Sequence, residues 1–229
     1  MTTISANLQA VRARIARAAR SAGRLPESIA LLAVSKTFPA DAVREAAAAG
    51  QRAFGENYAQ EGLAKIAALG DLALEWHFIG PLQGNKARAV AGHFDWVHSV
   101  DRQRIAERLS ACRDPARAPL QVCIQVNVSG EQSKSGVAPA QAAALAQAVA
   151  ALPNLRLRGL MAIPEPTDDE ALARRQFAVL RALRDDLAAR GTELDTLSMG
   201  MSADLEAAVL EGATLVRVGT AIFGQRNRA

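Results

Sequence analysis

Cysteine, long apolar runs and aromatic side chains are scarce in this chain of 229 residues. The two cysteines, Cys112 and Cys123, are too few for a disulfide framework or a zinc site, which indicates a reducing compartment and no structural metal. Residues 1–9 contain no apolar signal core, and no apolar run reaches the length that spans a membrane. We therefore expect a cytoplasmic protein with no membrane contact.

A large excess of charge of one sign is also missing. The pI of about 9.6 corresponds to a formal net charge of only +4, which is weak support for a nucleic-acid partner. The arginines at positions 12, 14, 17 and 20 are interpreted as a solvated helix face. Because aromatic residues make up 4% of the chain and are not interleaved with the arginines, nucleic-acid binding is the least favoured function.

Lysine is rare. Of the 27 basic residues, four are lysines (Lys36, Lys65, Lys86 and Lys134) and the other 23 are arginines. Lys36 ends the apolar run of residues 29–35, which is typical of a buried strand, and an ammonium there is poorly solvated, which favours its neutral, nucleophilic form. We interpret Lys36 as a residue for amine chemistry that a guanidinium cannot perform. The alternative is a lysine whose stem packs along the strand while its charge reaches solvent.

Apolar runs of strand length alternate with helical stretches along the chain. The alternation predicts an α/β fold, a (β/α)₈ TIM barrel with an additional N-terminal helix at about residues 5–22, in a single domain over residues 1–229. A doubly wound open sheet is the competing architecture, but neither of the phosphate-binding motifs G-x-G-x-x-G and G-x-x-x-x-G-K-[ST] occurs. The predicted strands are residues 29–35, 51–57, 74–79, 96–100, 120–128, 155–163, 196–199 and 214–222. The predicted helices between them are residues 40–49, 59–69, 86–93, 103–112, 139–151, 169–190 and 203–211.

The active sites of such barrels lie at the carboxyl ends of the strands. On strand 5, Gln125 and Asn127 alternate with aliphatic residues, so we expect both side chains inside the barrel. Arg217 on strand 8 has the same parity as Gly219, and a buried guanidinium needs polar partners, either in a functional site or in an internal salt bridge. The residues predicted at this rim are Lys36, Asn57, His77, Asn127, Met161, Ser198 and Gly219-Thr220.

The segments after the last two strands suit an anion. Residues 198–202, Ser-Met-Gly-Met-Ser, supply hydroxyls, a flexible glycine and N–H groups at the positive end of a helix. Gly219 and Thr220 add a close backbone approach and a hydroxyl, and barrels commonly bind phosphate with these two loops. The alternative is that Ser202 only caps its helix, whose first turn carries two acidic residues that would oppose a phosphate. Together with the strand-end lysine, the motif suggests either a pyridoxal phosphate aldimine or a class I aldolase Schiff base with a sugar phosphate.

Six segments then form a specific pattern. They are residues 33–37 (AVSKT), 54–58 (FGENY), 76–86 (WHFIGPLQGNK), 159–164 (GLMAIP), 198–202 (SMGMS) and 216–220 (VRVGT). In this order, and over about residues 29–226, the chain closely resembles the pyridoxal phosphate homeostasis protein family. The resemblance implies the barrel domain of alanine racemase without its second domain, in a cofactor-binding protein with no established catalytic turnover.

The resemblance also implies residue roles. Lys36 would hold pyridoxal 5'-phosphate (PLP) as an internal aldimine, with Arg217 against the pyridine nitrogen and Asn57 near the other polar edge of the ring. An arginine there disfavours protonation of the ring nitrogen and weakens the electron sink that transaminases and decarboxylases need. His77 would make a structural hydrogen bond rather than act as a base. The phosphate would be held by Ser198, Gly219 and Thr220 with Met199 or Ser202 alongside, and Met161 completes the predicted cofactor-binding set.

We therefore predict a protein that holds PLP for buffering or for delivery to apo-enzymes. A monomer is expected, because the second domain of alanine racemases supplies dimer contacts that the chain lacks. The first alternative is a PLP-dependent amino-acid racemase, which needs a second acid or base on the opposite face of the cofactor; Tyr58 is the only tyrosine. The second alternative is a lysine-dependent aldolase, which predicts no bound chromophore.

The loop of residues 129–136 follows strand 5 at the rim of the predicted site. Its glycines and serines predict mobility, and we expect it to open and close over the cofactor. Lys134 in this loop is predicted to take part in handing the cofactor over, as a second amine that can accept the aldehyde. The alternative is a flexible loop with a solvated lysine.

Overall fold

The computed structural model describes residues 3–130 and 135–225. Within these ranges, eight parallel strands form a closed barrel in chain order, and the last strand pairs with the first. The (β/α)₈ barrel predicted from the sequence is confirmed. The strands are β1 (Ala30–Val34), β2 (Ala53–Glu56), β3 (Glu75–Phe78), β4 (Trp96–Val100), β5 (Leu120–Gln125), β6 (Leu155–Met161), β7 (Thr196–Ser198) and β8 (Leu215–Val218).

Helices surround the barrel and connect its strands. Seven of those in the described residues lie between successive strands, one precedes the barrel and one follows it. No helix in these residues is long and apolar enough to cross a lipid bilayer. The helices are α1 (Ile4–Ser21), α2 (Ala40–Ala48), α3 (Ala59–Ala68), α4 (Ala87–His93), α5 (Gln103–Cys112), α6 (Pro139–Ala150), α7 (Glu170–Ala189), α8 (Leu205–Leu210) and α9 (Thr220–Phe223).

The N-terminal helix α1 covers the gap between the first and last units of the barrel. The Thr3 side chain caps it by accepting a hydrogen bond from the Ala6 N–H, and its stripe of buried residues includes Leu8 and Ile15. The helix packs against α2, α8 and α9. Arg14 forms an ion pair with Glu206 of α8 at 2.8 Å, so α1 is tied to the unit that follows β7.

The last predicted strand is too long. Residues 214–222 were expected to be one strand, but β8 ends at Val218 and the chain continues as α9. A short apolar run does not distinguish a strand from a helix by its pattern. Buried Ile222 and the ring of Phe223, whose centroid lies 5.2 Å from that of Phe38, place α9 beside the chain that follows β1.

The strands are buried on both faces, which explains why they appear as nearly continuous apolar runs. All five residues of β4, for example, are buried. The outward faces and the helices share the main core, whereas the lumen of the barrel is mixed. It contains two small apolar clusters, Leu32, Val34, Ile79 and Leu215, and Trp96, Cys123 and Met161, together with the buried polar residues His77, His98, Ser198 and Arg217.

Candidate functional site

A cavity of about 250 Å³ lies at the carboxyl ends of the strands, where a barrel is expected to carry its active site. Six of the ten residues predicted to bind a cofactor line it: Lys36, Asn57, Ser202, Arg217, Gly219 and Thr220. The other lining residues are Val34, Phe38, Ile79, Ile163, Met201 and Ala203. The cavity wall therefore combines an amine, a guanidinium, an amide and two hydroxyls with an apolar surface.

Lys36 reaches the cavity from a sharp turn at the end of β1. The following residue, Thr37, has a left-handed backbone with a φ of 70°, which is uncommon for a β-branched residue. Its N–H donates to Glu61 Oε1 of α3 at 2.5 Å, and this contact holds the turn. A strained residue next to the predicted cofactor lysine is the kind of feature that marks functional sites.

A buried polar cluster lies behind Lys36, on the helix-facing side of the strand. We define the strand-end cluster as Ser35, Glu56, Glu61 and Lys65. Lys65 Nζ donates to the Ser35 carbonyl at 2.7 Å, to Glu56 Oε1 at 2.6 Å and to Glu61 Oε1 at 2.7 Å. The Ser35 hydroxyl donates to Glu56 Oε1 at 2.6 Å. Burial raises the pKa of Glu56 above its usual value, although Lys65 and Ser35 oppose the shift.

Arg217 is 3% exposed and extends across the lumen. It donates to the Ser198 carbonyl at 2.6 Å, to the Ser198 hydroxyl at 2.8 Å and to the Ala162 carbonyl at 2.9 Å. It forms no ion pair with the described residues, so the internal salt bridge considered as an alternative is not seen there. Burial lowers the pKa of Arg217 to about 10, and the guanidinium therefore stays positively charged at neutral pH.

The loops after β7 and β8 meet at the opposite wall. The Ser202 hydroxyl accepts a hydrogen bond from the Ala221 N–H at 3.4 Å, so Ser202 joins the loop after β7 to α9 instead of capping its own helix. Asp204 accepts from the Met201 N–H at 2.5 Å, and Glu206 pairs with Arg14. Both acidic residues that would oppose a phosphate are thus engaged with partners of their own.

Four predicted cofactor-binding residues do not line the cavity, because they lie deeper in the fold. The side chains of His77, Met161 and Ser198 lie in the lumen beneath it, and the buried Met199 belongs to the main core between barrel and helices. Two successive residues on the same face of a strand are two positions apart in the sequence and about 7 Å apart along the strand. A shift of two positions therefore decides whether a side chain reaches the cavity or lies beneath it. Ile79 and Ile163, two residues beyond His77 and Met161, line the cavity instead.

The described ends of the loop after β5 are joined to each other. Asn127 Oδ1 accepts hydrogen bonds from the Ser129 hydroxyl and the Gly130 N–H, each at 3.1 Å. Gln125 Nε2 donates to the Ser135 carbonyl at 3.1 Å. Lys134 lies outside the described residues, and its role and the closure of the loop stay predictions.

Several buried polar residues were missed by the sequence interpretation. Glu56 and Lys65 were not linked to the site, although a lysine four residues after Glu61 on a helix was a visible signal. His98 was assigned no role from the sequence, yet it is fully buried and its Nδ1 lies 2.8 Å from the Ser198 hydroxyl. Ser198 lies 100 residues further along the chain, and no local pattern connects the two.

Comparison with known proteins first gives the structural class. Residues 6–227 match the alanine racemase N-terminal domain family. The alanine racemase of Corynebacterium glutamicum has the same fold at 20% identity, with a TM-score of 0.69 over 97% of this chain and 62% of the racemase chain. The barrel thus belongs to the alanine racemase N-terminal domain family.

More similar proteins define the family. A pyridoxal phosphate homeostasis protein of Pseudomonas aeruginosa is 63% identical over 227 residues, which cover 99% of this chain and 97% of the relative. The structure of PipY from Synechococcus elongatus with PLP bound has a TM-score of 0.84 and 41% identity over 97% of this chain and 100% of PipY. The chain belongs to the pyridoxal phosphate homeostasis protein family, as its sequence motifs predicted.

Proposed function

We propose that the protein binds PLP in this cavity, holds it covalently through the Lys36 amine and stores it for release to apo-enzymes. The observation that carries the proposal is a single cavity that joins Lys36 to Arg217 and to the small residues Ser202, Gly219 and Thr220. The relationship to PipY supports the same ligand. Bound PLP supplies an electrophilic aldehyde that a lysine amine can hold reversibly.

The cavity wall fits this cofactor. Asn57 Oδ1 is buried and has no hydrogen-bond partner among the described residues, so a polar group of a ligand would satisfy it. A Cβ atom on Gly219 would lie 3.1 Å from the Val34 carbonyl oxygen, and its absence allows close approach to the backbone there. The hydroxyls of Ser202 and Thr220 are suited to a phosphate.

Arg217 supports storage over turnover. A guanidinium can only donate hydrogen bonds, so a ring nitrogen that faces it accepts one and stays unprotonated. The side chain is held by three acceptors and keeps its charge at neutral pH. An unprotonated ring is a weak electron sink, which disfavours the chemistry of transaminases and decarboxylases.

The composition of the wall also argues against racemisation. A racemase needs proton-transfer groups on both faces of the cofactor. Among the described residues, the cavity lining contains no histidine, tyrosine, cysteine or carboxylate. Tyr58, the only tyrosine of the chain, is 58% exposed and lies outside this lining.

Absorbance of the purified protein tests the proposal. After incubation with PLP and removal of the unbound cofactor, which is itself yellow, we expect a yellow band in the parent protein and in Lys86→Ala, whose altered residue is outside the cavity lining, and no such band in Lys36→Ala. Borohydride reduction followed by peptide mass analysis should place the added mass on the peptide that contains Lys36.

Each alternative has its own outcome in the same experiment. A parent protein that stays colourless with PLP would refute the proposal and favour a lysine-dependent aldolase, which binds only added keto substrate. A yellow protein that racemises several amino acids would instead be a racemase. A yellow, inactive protein that transfers PLP to an apo-enzyme supports storage and delivery, and Lys134→Ala at the parental transfer rate would exclude a role for Lys134 in the transfer.

A further inference from the structure

A continuous line of hydrogen bonds crosses the lumen of the barrel beneath the cavity. We define the lumen relay as Glu75, His77, His98, Ser198 and Arg217. Glu75 Oε1 lies 2.6 Å from His77 Nε2, and His77 Nδ1 lies 2.9 Å from His98 Nε2. His98 Nδ1 lies 2.8 Å from the Ser198 hydroxyl, which lies 2.8 Å from Arg217 Nη1. The relay thus links a strand start at the floor of the barrel to the guanidinium that lines the cavity.

The carboxylate of Glu75 can only accept, and this sets the direction of the bonds along two neutral histidine rings. Arg217 can only donate, so the Ser198 hydroxyl accepts from it and its hydrogen stays available for a bond to His98 Nδ1. Neutral His98 then carries its proton on Nε2 and donates to His77 Nδ1, and His77 Nε2 donates to Glu75. The ionised carboxylate can only accept, and the hydrogen bond from His77 holds the pKa of Glu75 below its usual value. The Glu75 end therefore selects this pair of histidine tautomers, and the hydrogen bond from Arg217 to Ser198 is compatible with it.

The surroundings protect this arrangement. His98 and Ser198 are fully buried, and the side chain of His77 is 1% exposed. The pKa of His98 lies well below its usual value because of burial, with further contributions from His77 and Arg217, so its ring stays neutral. Trp96 stacks on His77 at a centroid distance of 5.2 Å, and Arg158, paired with Asp195, lies 4.8 Å above the Trp96 ring.

We propose that Glu75, His77, His98 and Ser198 are positioning residues for Arg217. Because His98 accepts the hydrogen bond of the Ser198 hydroxyl, the lone pairs of that hydroxyl stay directed at the guanidinium, which is thereby held toward the cavity. A change at Glu75, on the floor of the barrel, consequently alters the hydrogen bonding of a residue at its mouth. What Arg217 does for a ligand rests on the proposed function, whereas the relay itself is a property of the ligand-free protein.

Nitrogen-15 NMR of the histidine rings tests the relay without any ligand. The chain contains three histidines, and His93→Gln identifies the signals of the third, which is exposed on α4. In the parent protein we expect His77 and His98 both to carry the proton on Nε2. Glu75→Leu removes the fixed acceptor, so both rings should shift toward a mixture of tautomers, whereas Glu75→Gln retains an acceptor oxygen and should restore the parental tautomers.

A proton on Nδ1 of His98 in the parent protein would overturn the proposal, and so would nitrogen-15 chemical shifts of His98 that are unchanged in Glu75→Leu.

A second readout is PLP binding measured by absorbance. Ser198→Ala removes a charge-assisted hydrogen bond and should raise the dissociation constant about tenfold and shift the band, with His93→Gln as the control. If the parent protein binds no PLP, the proposed function fails while the histidine tautomers still decide the relay.

Discussion

At the scale of single residues, Lys36 is held from the side of its strand that faces away from the cavity. Both of its neighbours are bound to the strand-end cluster: the Ser35 carbonyl to Lys65 and the Thr37 N–H to Glu61. The Lys36 backbone cannot move without breaking these charge-assisted bonds, and the one between Lys65 and the Ser35 carbonyl is buried and costly to leave unsatisfied. The cluster therefore fixes where the amine enters the cavity.

Replacing Lys65 by methionine tests the cluster through its pH dependence. The variant leaves the Glu56 carboxylate buried without its cation, and we expect a loss of about 3 kcal/mol in the free energy of unfolding at neutral pH. Burial already raises the pKa of Glu56, and loss of Lys65 raises it further. A carboxyl with a raised folded-state pKa binds its proton more tightly when folded, so the loss should shrink as the pH falls through that pKa.

Urea unfolding of both proteins from about pH 8 to about pH 5 measures this effect. Lys86→Met is the matched control and should leave the pH dependence unchanged, since Lys86 makes no ion pair with the described residues. A constant difference between Lys65→Met and the parent across this range would contradict the assignment of the buried charge to Glu56.

At the scale of elements, the loop after β7 is joined to the segment after β8, because the Ser202 hydroxyl accepts a hydrogen bond from the Ala221 N–H. The position of both loops could be predicted from the order of strands, but the end of β8 could not. The residues after Gly219 form α9 instead of extending β8, and α9 packs against α1 while Phe223 contacts Phe38. Local sequence patterns are thus sufficient to predict that a strand or helix exists, whereas tertiary contacts decide where it ends.

Gly200→Ala tests how tightly the β7–α8 loop is constrained. Gly200 has a φ of +92°, and a Cβ atom there would lie 2.5 Å from the Ala208 Cβ of α8. We expect a loss of stability of about 2–4 kcal/mol, combining the left-handed backbone penalty with overpacking. PLP binding should weaken as well, because the loop carries Met201 and Ser202 into the cavity.

Gly191→Ala is the matched control for this variant. Gly191 has a φ of +85° but nothing within 4 Å of its Cβ position. The same substitution there should lower the free energy of unfolding only by the penalty of a left-handed backbone, about 1–2 kcal/mol. Adding Ala208→Gly to Gly200→Ala should recover part of the loss by relieving the contact. Equal losses in Gly191→Ala and Gly200→Ala, measured by urea unfolding, would show that the loop accommodates the methyl group.

At the scale of the whole molecule, the closed barrel and the face that carries the site could be predicted from the sequence, but the depth of each residue could not. Lys36 and Arg217 line the cavity because each lies near the end of a strand on the inward face. Ser198 also faces inward but lies one layer lower, where its hydroxyl meets His98. The depth of a side chain in the lumen depends on how the eight strands are staggered around the barrel, and the sequence of one strand does not determine this stagger.

The barrel also determines how the molecule responds to acid. His98 is enclosed by the strands, so opening a single loop does not expose it and it takes up a proton chiefly on global unfolding. Its folded-state pKa lies well below the ordinary value because of burial and the nearby His77 and Arg217. For a base with a depressed folded-state pKa, the unfolded chain binds the proton preferentially, so its contribution to stability is complete above about pH 6.5 and is lost as the pH falls.

Comparison with His98→Gln isolates this contribution, because glutamine forms hydrogen bonds but does not titrate. We expect the parent protein to lose up to about 1.4 kcal/mol per pH unit more than His98→Gln below about pH 6.5, so that the stabilities of the two proteins converge toward pH 5. The raised pKa of Glu56 makes both proteins more stable as the pH falls, which is the opposite of the effect of His98. Because Glu56 is present in both proteins, its effect cancels when their free energies of unfolding are subtracted. The carboxyls with lowered pKa, such as Glu75 and Asp195, titrate below this range. If the free energies of unfolding of the two proteins, measured in urea, changed in parallel with pH, His98 would accept a proton inside the folded barrel. The lumen relay, which requires a neutral His98 ring, would then be refuted.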